Sequence, residues 1–120
     1  MSLTLSESKD AILSSGFSVK SSTVKLIEFE SNTTDQMLYL YKQQGFPDHA
    51  DVIVHPDTNT IALFAIPGIE PNRRVTYRFG SNMGAFPKRK NRGDAPEHYG
   101  RALYAFSELA LAALCIEYKL

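Results

Sequence analysis

The sequence contains one cysteine, no tryptophan and no long hydrophobic run. Because a disulfide needs two thiols, Cys115 cannot form one within the chain, which excludes the disulfide-stapled class of small secreted proteins. One thiol is also too few for a cysteine-rich zinc site. No apolar segment approaches the roughly 18 residues of a membrane span, and no basic stretch precedes an apolar run at the N-terminus. We therefore expect a cytoplasmic protein without a membrane partner.

The chain also has no net charge, because thirteen lysines and arginines balance thirteen aspartates and glutamates among its 120 residues. Apolar residues make up 43% and charged residues 22%, a composition typical of folded water-soluble proteins and not of disordered or collagen-like chains. A chain of this length fits one compact core. We expect a single domain over residues 1–120.

The N-terminal segment carries the signals of a helix start and a helix end. Thr4 and Glu7 have the spacing of a capping box, in which each side chain accepts a hydrogen bond from the backbone N–H of the other residue. Gly16 can adopt the left-handed conformation that commonly ends a helix. These signals predict a helix over residues 5–15.

Strand-like segments follow this helix. Residues 24–30 alternate charged and apolar side chains, residues 37–41 are aromatic and aliphatic, and turn formers lie between them. This pattern predicts an antiparallel hairpin with a five-residue loop. Residues 51–55 and 60–66 flank a Pro-Asp-Thr-Asn turn and predict a second hairpin. A short alternating run over 75–79 predicts a fifth, edge strand.

The C-terminal segment has the strongest helical pattern. Leu103, Phe106, Ala110 and Leu114 recur at three- and four-residue spacing, which is typical of one helix face. This predicts a helix over about 101–117, preceded by an irregular basic loop over about 80–95. The expected fold is α+β: a four- or five-stranded, mainly antiparallel sheet with the N-terminal and C-terminal helices packed on one face.

The charges are unevenly distributed along the chain. Residues 73–101 contain eight of the thirteen cations and only two carboxylates. Clustered cations neutralise phosphates and release counterions, and interleaved aromatic rings can stack on bases. The interleaved rings are those of Tyr77, Phe79, Phe86 and Tyr99. The segment predicts a module that contacts DNA or RNA with low sequence specificity through ten residues: Arg73, Arg74, Arg78, Lys88, Arg89, Lys90, Arg92, His98, Tyr99 and Arg101.

Two other interpretations of this basic segment stay open. One is a solvated loop whose charges keep the protein soluble while the aromatic rings belong to the core. The other is a surface that binds an acidic protein, as in an adaptor or inhibitor module acting on a nucleic-acid enzyme of bacterial defence. The oligomeric state is not specified by any of these interpretations.

Signals for catalysis and metal binding are few. Four potential metal ligands fall within nine residues: His49, Asp51, His55 and Asp57. Pro56 interrupts the strand geometry that would align them. His98 with Asp94 or Glu97 gives a hydrolase hypothesis that lacks a cluster of metal-binding carboxylates. No nucleophile elbow or glycine-rich dinucleotide turn is present. We expect a non-enzymatic protein without a cofactor or a metal ion.

The order of several short landmarks resembles a known family. They are Gly16-Phe17 after the first helix, Leu38-Tyr39-Leu40-Tyr41, Val52-Ile53-Val54-His55-Pro56, Phe86-Pro87, His98-Tyr99-Gly100, and a closing helix through Ala102-Leu103 and Leu114. This order, over nearly the whole chain, resembles the YgaC-like family of small bacterial cytoplasmic proteins. The resemblance implies an α+β domain of bacterial or phage origin and a shared surface at His55, Pro87, His98, Tyr99 and Gly100. It supplies no catalytic residues to carry over. The basic stretch 88–92 departs from the family pattern.

Overall fold

The structure is a computed structural model that describes residues 3–42, 49–80, 83–90 and 96–118. Within these ranges three helices and eight strands follow one another along the chain. They are α1 (Leu5–Ser14), β1 (Phe17–Ser22), β2 (Leu26–Ser31), β3 (Met37–Tyr41), β4 (Ala50–Val54), α2 (Thr60–Phe64), β5 (Ile69–Pro71), β6 (Tyr77–Phe79), β7 (Lys88–Lys90), β8 (Pro96–Ala105) and α3 (Glu108–Tyr118).

The strands form one antiparallel sheet in the order β1-β2-β3-β4-β8-β5, with β6 and β7 also paired to β8. The ten-residue strand β8 organises this arrangement. Its C-terminal half pairs with β4 and β5, and its N-terminal half pairs with β6 and β7. Strand β8 therefore joins the basic segment to the rest of the sheet.

The α+β class and the mainly antiparallel sheet are confirmed, but the prediction of four or five strands is too low. Four strands, β1, β5, β7 and β8, lie where the sequence predicts no strand. Strand β1 exposes five of its six residues, so it lacks the apolar alternation that identifies a half-buried strand. Strand β7 lies inside the predicted irregular loop at about 80–95 and pairs antiparallel with β8. Its three residues are all basic, so no apolar alternation marks it as a strand.

The predictions for residues 5–41 are largely confirmed. The Thr4 hydroxyl accepts a hydrogen bond from the Glu7 N–H at 3.1 Å, and the Glu7 carboxylate accepts one from the Thr4 N–H at 3.0 Å. Gly16 follows the helix with a φ of 91°. Strands β2 and β3 pair as a hairpin, with a five-residue loop between them as predicted.

The predicted second hairpin is wrong. Residues 60–64 form helix α2 and not a strand. The Asn59 side chain caps this helix by accepting a hydrogen bond from the Ile61 N–H at 3.1 Å, as Asx residues commonly do at a helix start. Strand β4 pairs with β3 and β8 instead.

The predicted C-terminal helix over 101–117 is wrong in its first part. The chain remains in β8 as far as Ala105, and α3 begins at Glu108. Alanines at 102 and 105 suit a helix by propensity, and the leucines and aromatics around them fit either period. The residues are extended because β8 forms hydrogen bonds with strands on both of its edges, an interaction that no local window contains.

The main core lies between one face of the sheet, called here the helix face, and helices α1 and α3. Its buried members include Ile12, Phe29, Leu103 and Leu114. Cys115 belongs to the same core with no exposed surface. None of the helices in the described ranges combines the length and the apolar character that a membrane crossing requires.

The other face of the sheet, called here the open face, carries a smaller cluster: Leu26, Met37, Tyr39, Ile53, Met83 and Phe86. The rings of Tyr39 and Phe86 meet edge to face with their centroids 4.9 Å apart. Phe86 lies directly over Gly100 of β8, because an added Cβ at Gly100 would come within 2.8 Å of its ring. Part of the open face is therefore covered by the segment that precedes β7.

Candidate nucleic-acid interface

Three aromatic rings from β6 and β8 lie side by side on the helix face. Phe79 pairs with Tyr99, and Tyr77 pairs with Arg101. The ring centroids of Tyr77 and Tyr99 are 5.4 Å apart, and those of Phe79 and Tyr99 are 5.6 Å apart with the planes inclined by only 19°. All three side chains are half-buried. We call the rings of Tyr77, Phe79 and Tyr99 the aromatic platform.

Two arginines contact the aromatic platform. The guanidinium carbon of Arg89, on β7, lies between 4.6 and 5.6 Å from all three ring centroids. That of Arg101 lies 5.9 Å from the centroid of Tyr77 and 5.5 Å from that of Phe64 on α2. Within the described part of the chain neither arginine forms a salt bridge, and the buried Nε of Arg101 has no hydrogen-bond partner. The platform thus carries two cations, and the carboxylate of Glu97, which pairs in register with Arg89, lies on the same face.

Arg78 lies on the opposite face from the platform, because successive side chains of a strand alternate between faces. Its Nε donates to Oδ1 of Asp51 at 3.3 Å, and its Nη2 donates to Oδ2. The side chains of Arg78 and Asp51 are 25% and 3% exposed. The guanidinium also stacks on Tyr41, 4.1 Å from the ring centroid. Arg78 is therefore held on the open face.

The same alternation separates His98 from Tyr99. His98 lies on the open face, where its Nδ1 is 2.6 Å from the carbonyl oxygen of Phe86; a hydrogen bond there requires the proton on Nδ1. Glu97 precedes His98 on β8 and lies on the other face, so these two side chains do not converge as the hydrolase hypothesis requires. Asp94 lies outside the described residues.

Arg73 and Arg74 lie in the connection between β5 and β6. Arg73 forms an exposed ion pair with Glu70 at 3.4 Å, and its guanidinium carbon is 5.6 Å from the ring centroid of Phe106. The Oδ1 of Asn72 accepts hydrogen bonds from the backbone N–H of Arg74 at 2.8 Å and of Val75 at 3.1 Å. This turn is therefore fixed by a side chain that is itself buried.

The remaining predicted contact residues are Lys88, Lys90 and Arg92. Lys88 is exposed on β7, where it pairs in register with His98. Lys90 is the last residue of β7, and Arg92 lies outside the described residues. The interpretation of Phe86 as a stacking ring is wrong, because Phe86 is only 4% exposed and packs in the open-face cluster.

The Asp51–Arg78 ion pair was not foreseeable from any local pattern, because the two residues are 27 positions apart. The sequence identifies Asp51 only as a potential metal ligand. Within the described ranges no three His, Cys, Asp or Glu side chains are grouped closely enough to hold a metal ion. In the structure the carboxylate of Asp51 pairs with Arg78 instead.

Comparison with known proteins finds neither a family model nor a curated protein that matches this chain. The resemblance to the YgaC-like family therefore stays a prediction.

Proposed function

We propose that this chain is a non-enzymatic module that binds DNA or RNA, and that single-stranded nucleic acid contacts it at the aromatic platform. The observation that carries the proposal is the position of Arg89, whose guanidinium lies over all three platform rings. Stacking surfaces combined with cations are the common chemistry of sites for single strands. The interpretation of the basic segment as a solvated loop whose rings belong to the core gives no reason for this grouping.

The rings and the cations have different tasks in this proposal. A base stacked on a ring of the platform contributes about 1–3 kcal/mol, and any base suffices because each has a π-face. Arg89 and Arg101, which lie on the platform face, neutralise phosphates and release counterions. Binding is therefore sensitive to salt and only weakly dependent on sequence.

The surroundings of His98 support the proposal that the protein is not an enzyme. Its Nδ1 is engaged with a backbone carbonyl, and its neighbour Glu97 lies on the opposite side of β8. A general acid or base needs a partner within hydrogen-bond reach of the reacting group. These two side chains do not provide such a pair.

Binding of labelled single- and double-stranded oligonucleotides tests the proposal. We expect affinity for single strands to fall by orders of magnitude between about 50 and 200 mM salt. The variant Arg89→Gln/Arg101→Gln weakens binding and lowers the slope of log affinity against log salt by about 2. The matched control, Lys9→Ala/Lys20→Ala, removes two exposed cations from α1 and β1 and leaves the slope unchanged. Absence of binding at 50 mM salt contradicts the proposal.

A protein-binding adaptor or inhibitor is the second candidate function. It is favoured by two exposed apolar side chains on α3, Leu109 at 82% and Ile116 at 52% exposure. They are seven residues apart and so lie on the same side of the helix, two turns from each other. This candidate gains support if no nucleic acid binds at low salt and Leu109→Ser/Ile116→Ser removes a protein that co-purifies with the wild-type chain.

A further inference from the structure

A polar groove on the open face is not used by the proposed function. It has a volume of about 660 Å³ and lies between the β1–β2 turn, the ends of β3 and β4, and the connection that leads into β6. Among the described residues, four cations and one carboxylate line it: Lys25, Lys42, Arg74, Arg78 and Asp51. Since Asp51 is paired with Arg78, three cations remain to attract an anion.

Arg78 lies at the floor of this groove with its guanidinium already held in one orientation. A guanidinium has five N–H donors in a rigid fork, and the pairing with Asp51 uses the edge formed by Nε and Nη2. The Nη1 group is directed away from Asp51. Asp51 and the ring of Tyr41 already fix the side chain. An anion that binds there therefore restricts few additional side-chain torsions, so the entropy cost of binding is small.

The same buried carboxylate also fixes the turn that carries Arg74. The Nδ2 of Asn72 lies 3.4 and 3.3 Å from the two oxygens of Asp51, and its Oδ1 accepts the Arg74 N–H. On the far side of the groove the Nζ of Lys42 donates to the Thr23 carbonyl at 2.6 Å. The side chains of Arg78 and Lys42 are therefore held in place by hydrogen bonds, and Arg74 is fixed through its backbone.

This network costs desolvation energy that a packed apolar cluster would not. A buried ion pair is weak evidence for stability, so its position beneath a cationic groove calls for another explanation. Holding an arginine in a fixed orientation is what recognition of a multiply charged anion requires.

We propose that the groove binds a small phosphorylated ligand, with a phosphate monoester or diphosphate held by Arg78 and Arg74 and attracted by Lys25 and Lys42. The volume falls in the range of small-molecule sites, about 300–1,000 Å³, which leaves room for an organic part besides the phosphate. This site does not depend on the aromatic platform.

Calorimetric titration with inorganic phosphate, pyrophosphate, AMP and ADP tests the groove. The exposed substitutions Lys25→Gln and Arg74→Gln keep the Asp51–Arg78 pair, so they leave the unfolding temperature near that of the wild type. We expect AMP and ADP to bind, and each groove variant to weaken binding by about tenfold. The variant Lys9→Gln, which removes an exposed cation outside both sites, is the matched control and leaves nucleotide affinity unchanged.

The other outcomes separate this site from the platform. Loss of AMP binding in Arg89→Gln but not in Arg74→Gln moves the nucleotide to the platform and overturns the groove. No binding of any of the four probes at millimolar concentration overturns it as well. Equal affinity for inorganic phosphate and AMP supports an anion site in the groove. It overturns the proposal that the groove also binds the organic part of the ligand. Failure of oligonucleotide binding leaves the groove unaffected.

Discussion

The Asp51 carboxylate on β4 and the Arg78 guanidinium on β6 meet across β8 on the open face of the sheet. Their strands pair with β8 at Tyr104 and at Gly100, so the small side chain of Ala102 lies between them on that face. The ion pair thus connects the basic segment to the central strands and holds an arginine at the floor of the groove.

Removing the arginine from this pair destabilises the fold. In Arg78→Met the Asp51 carboxylate stays buried without its cation, and we expect the free energy of unfolding to fall by about 3 kcal/mol in urea titrations. The control Asp51→Leu/Arg78→Met removes both charges and recovers most of the loss. A loss below about 1 kcal/mol in the single variant contradicts a buried, structurally important pair.

Gly100 is required because Phe86 and Ile53 occupy the space of a side chain. An added Cβ would lie 2.5 Å from Cγ2 of Ile53 and 2.8 Å from the Phe86 ring. We expect Gly100→Ala to lower the free energy of unfolding by about 1–3 kcal/mol. The control is Gly84→Ala, whose Cβ would meet nothing within 4 Å. Equal effects of the two substitutions contradict the close packing of Phe86 on β8.

Tyr118 makes stability sensitive to alkaline pH. Burial raises the pKa of Tyr118 from 10.0 to about 12, and its hydroxyl donates to the Met37 carbonyl at 2.5 Å and accepts from the His55 N–H at 3.0 Å. Because the folded pKa is raised, the contribution is complete below pH 10 and is lost as the pH rises to about 12.

Thermal unfolding between pH 8 and pH 12 measures this loss. Burial and the hydrogen bond to Glu28 also raise the pKa of Tyr39, so part of the alkaline effect persists without Tyr118. We expect Tyr118→Phe to be less stable at pH 8 but to lose less stability above pH 10 than the wild type. Identical pH profiles of the two proteins contradict the raised pKa.

Substitution of Arg89 and substitution of a platform ring change the salt dependence of nucleic-acid binding differently. We expect Arg89→Gln to lower the slope of log affinity against log salt by about 1, since it removes one phosphate contact. Tyr99→Leu keeps the slope and weakens binding by about 1–3 kcal/mol, since it removes a stacked base. Fluorescence anisotropy with a labelled single strand measures both. The same slope change in both variants contradicts this division.

Elements with local signals were predictable. The Thr4–Glu7 capping box, the positive φ of Gly16 and the β2–β3 hairpin depend on residues close in sequence. In the candidate site, the concentration of cations and aromatic rings over residues 73–101 was visible in the sequence, because it is a property of composition.

The sequence alone determined the α+β class, the first helix and the charge asymmetry. Tertiary structure decided that residues 101–105 extend β8, since hydrogen bonds to strands on both edges outweigh the helix propensity of alanine. It also decided which basic residues share a surface: strand alternation brings Arg89 and Arg101 to the platform rings and turns Arg78 to Asp51. Alternation is local, but the pairing of distant strands determines which side chains meet, and long-range contacts of this kind leave no periodic trace in one sequence.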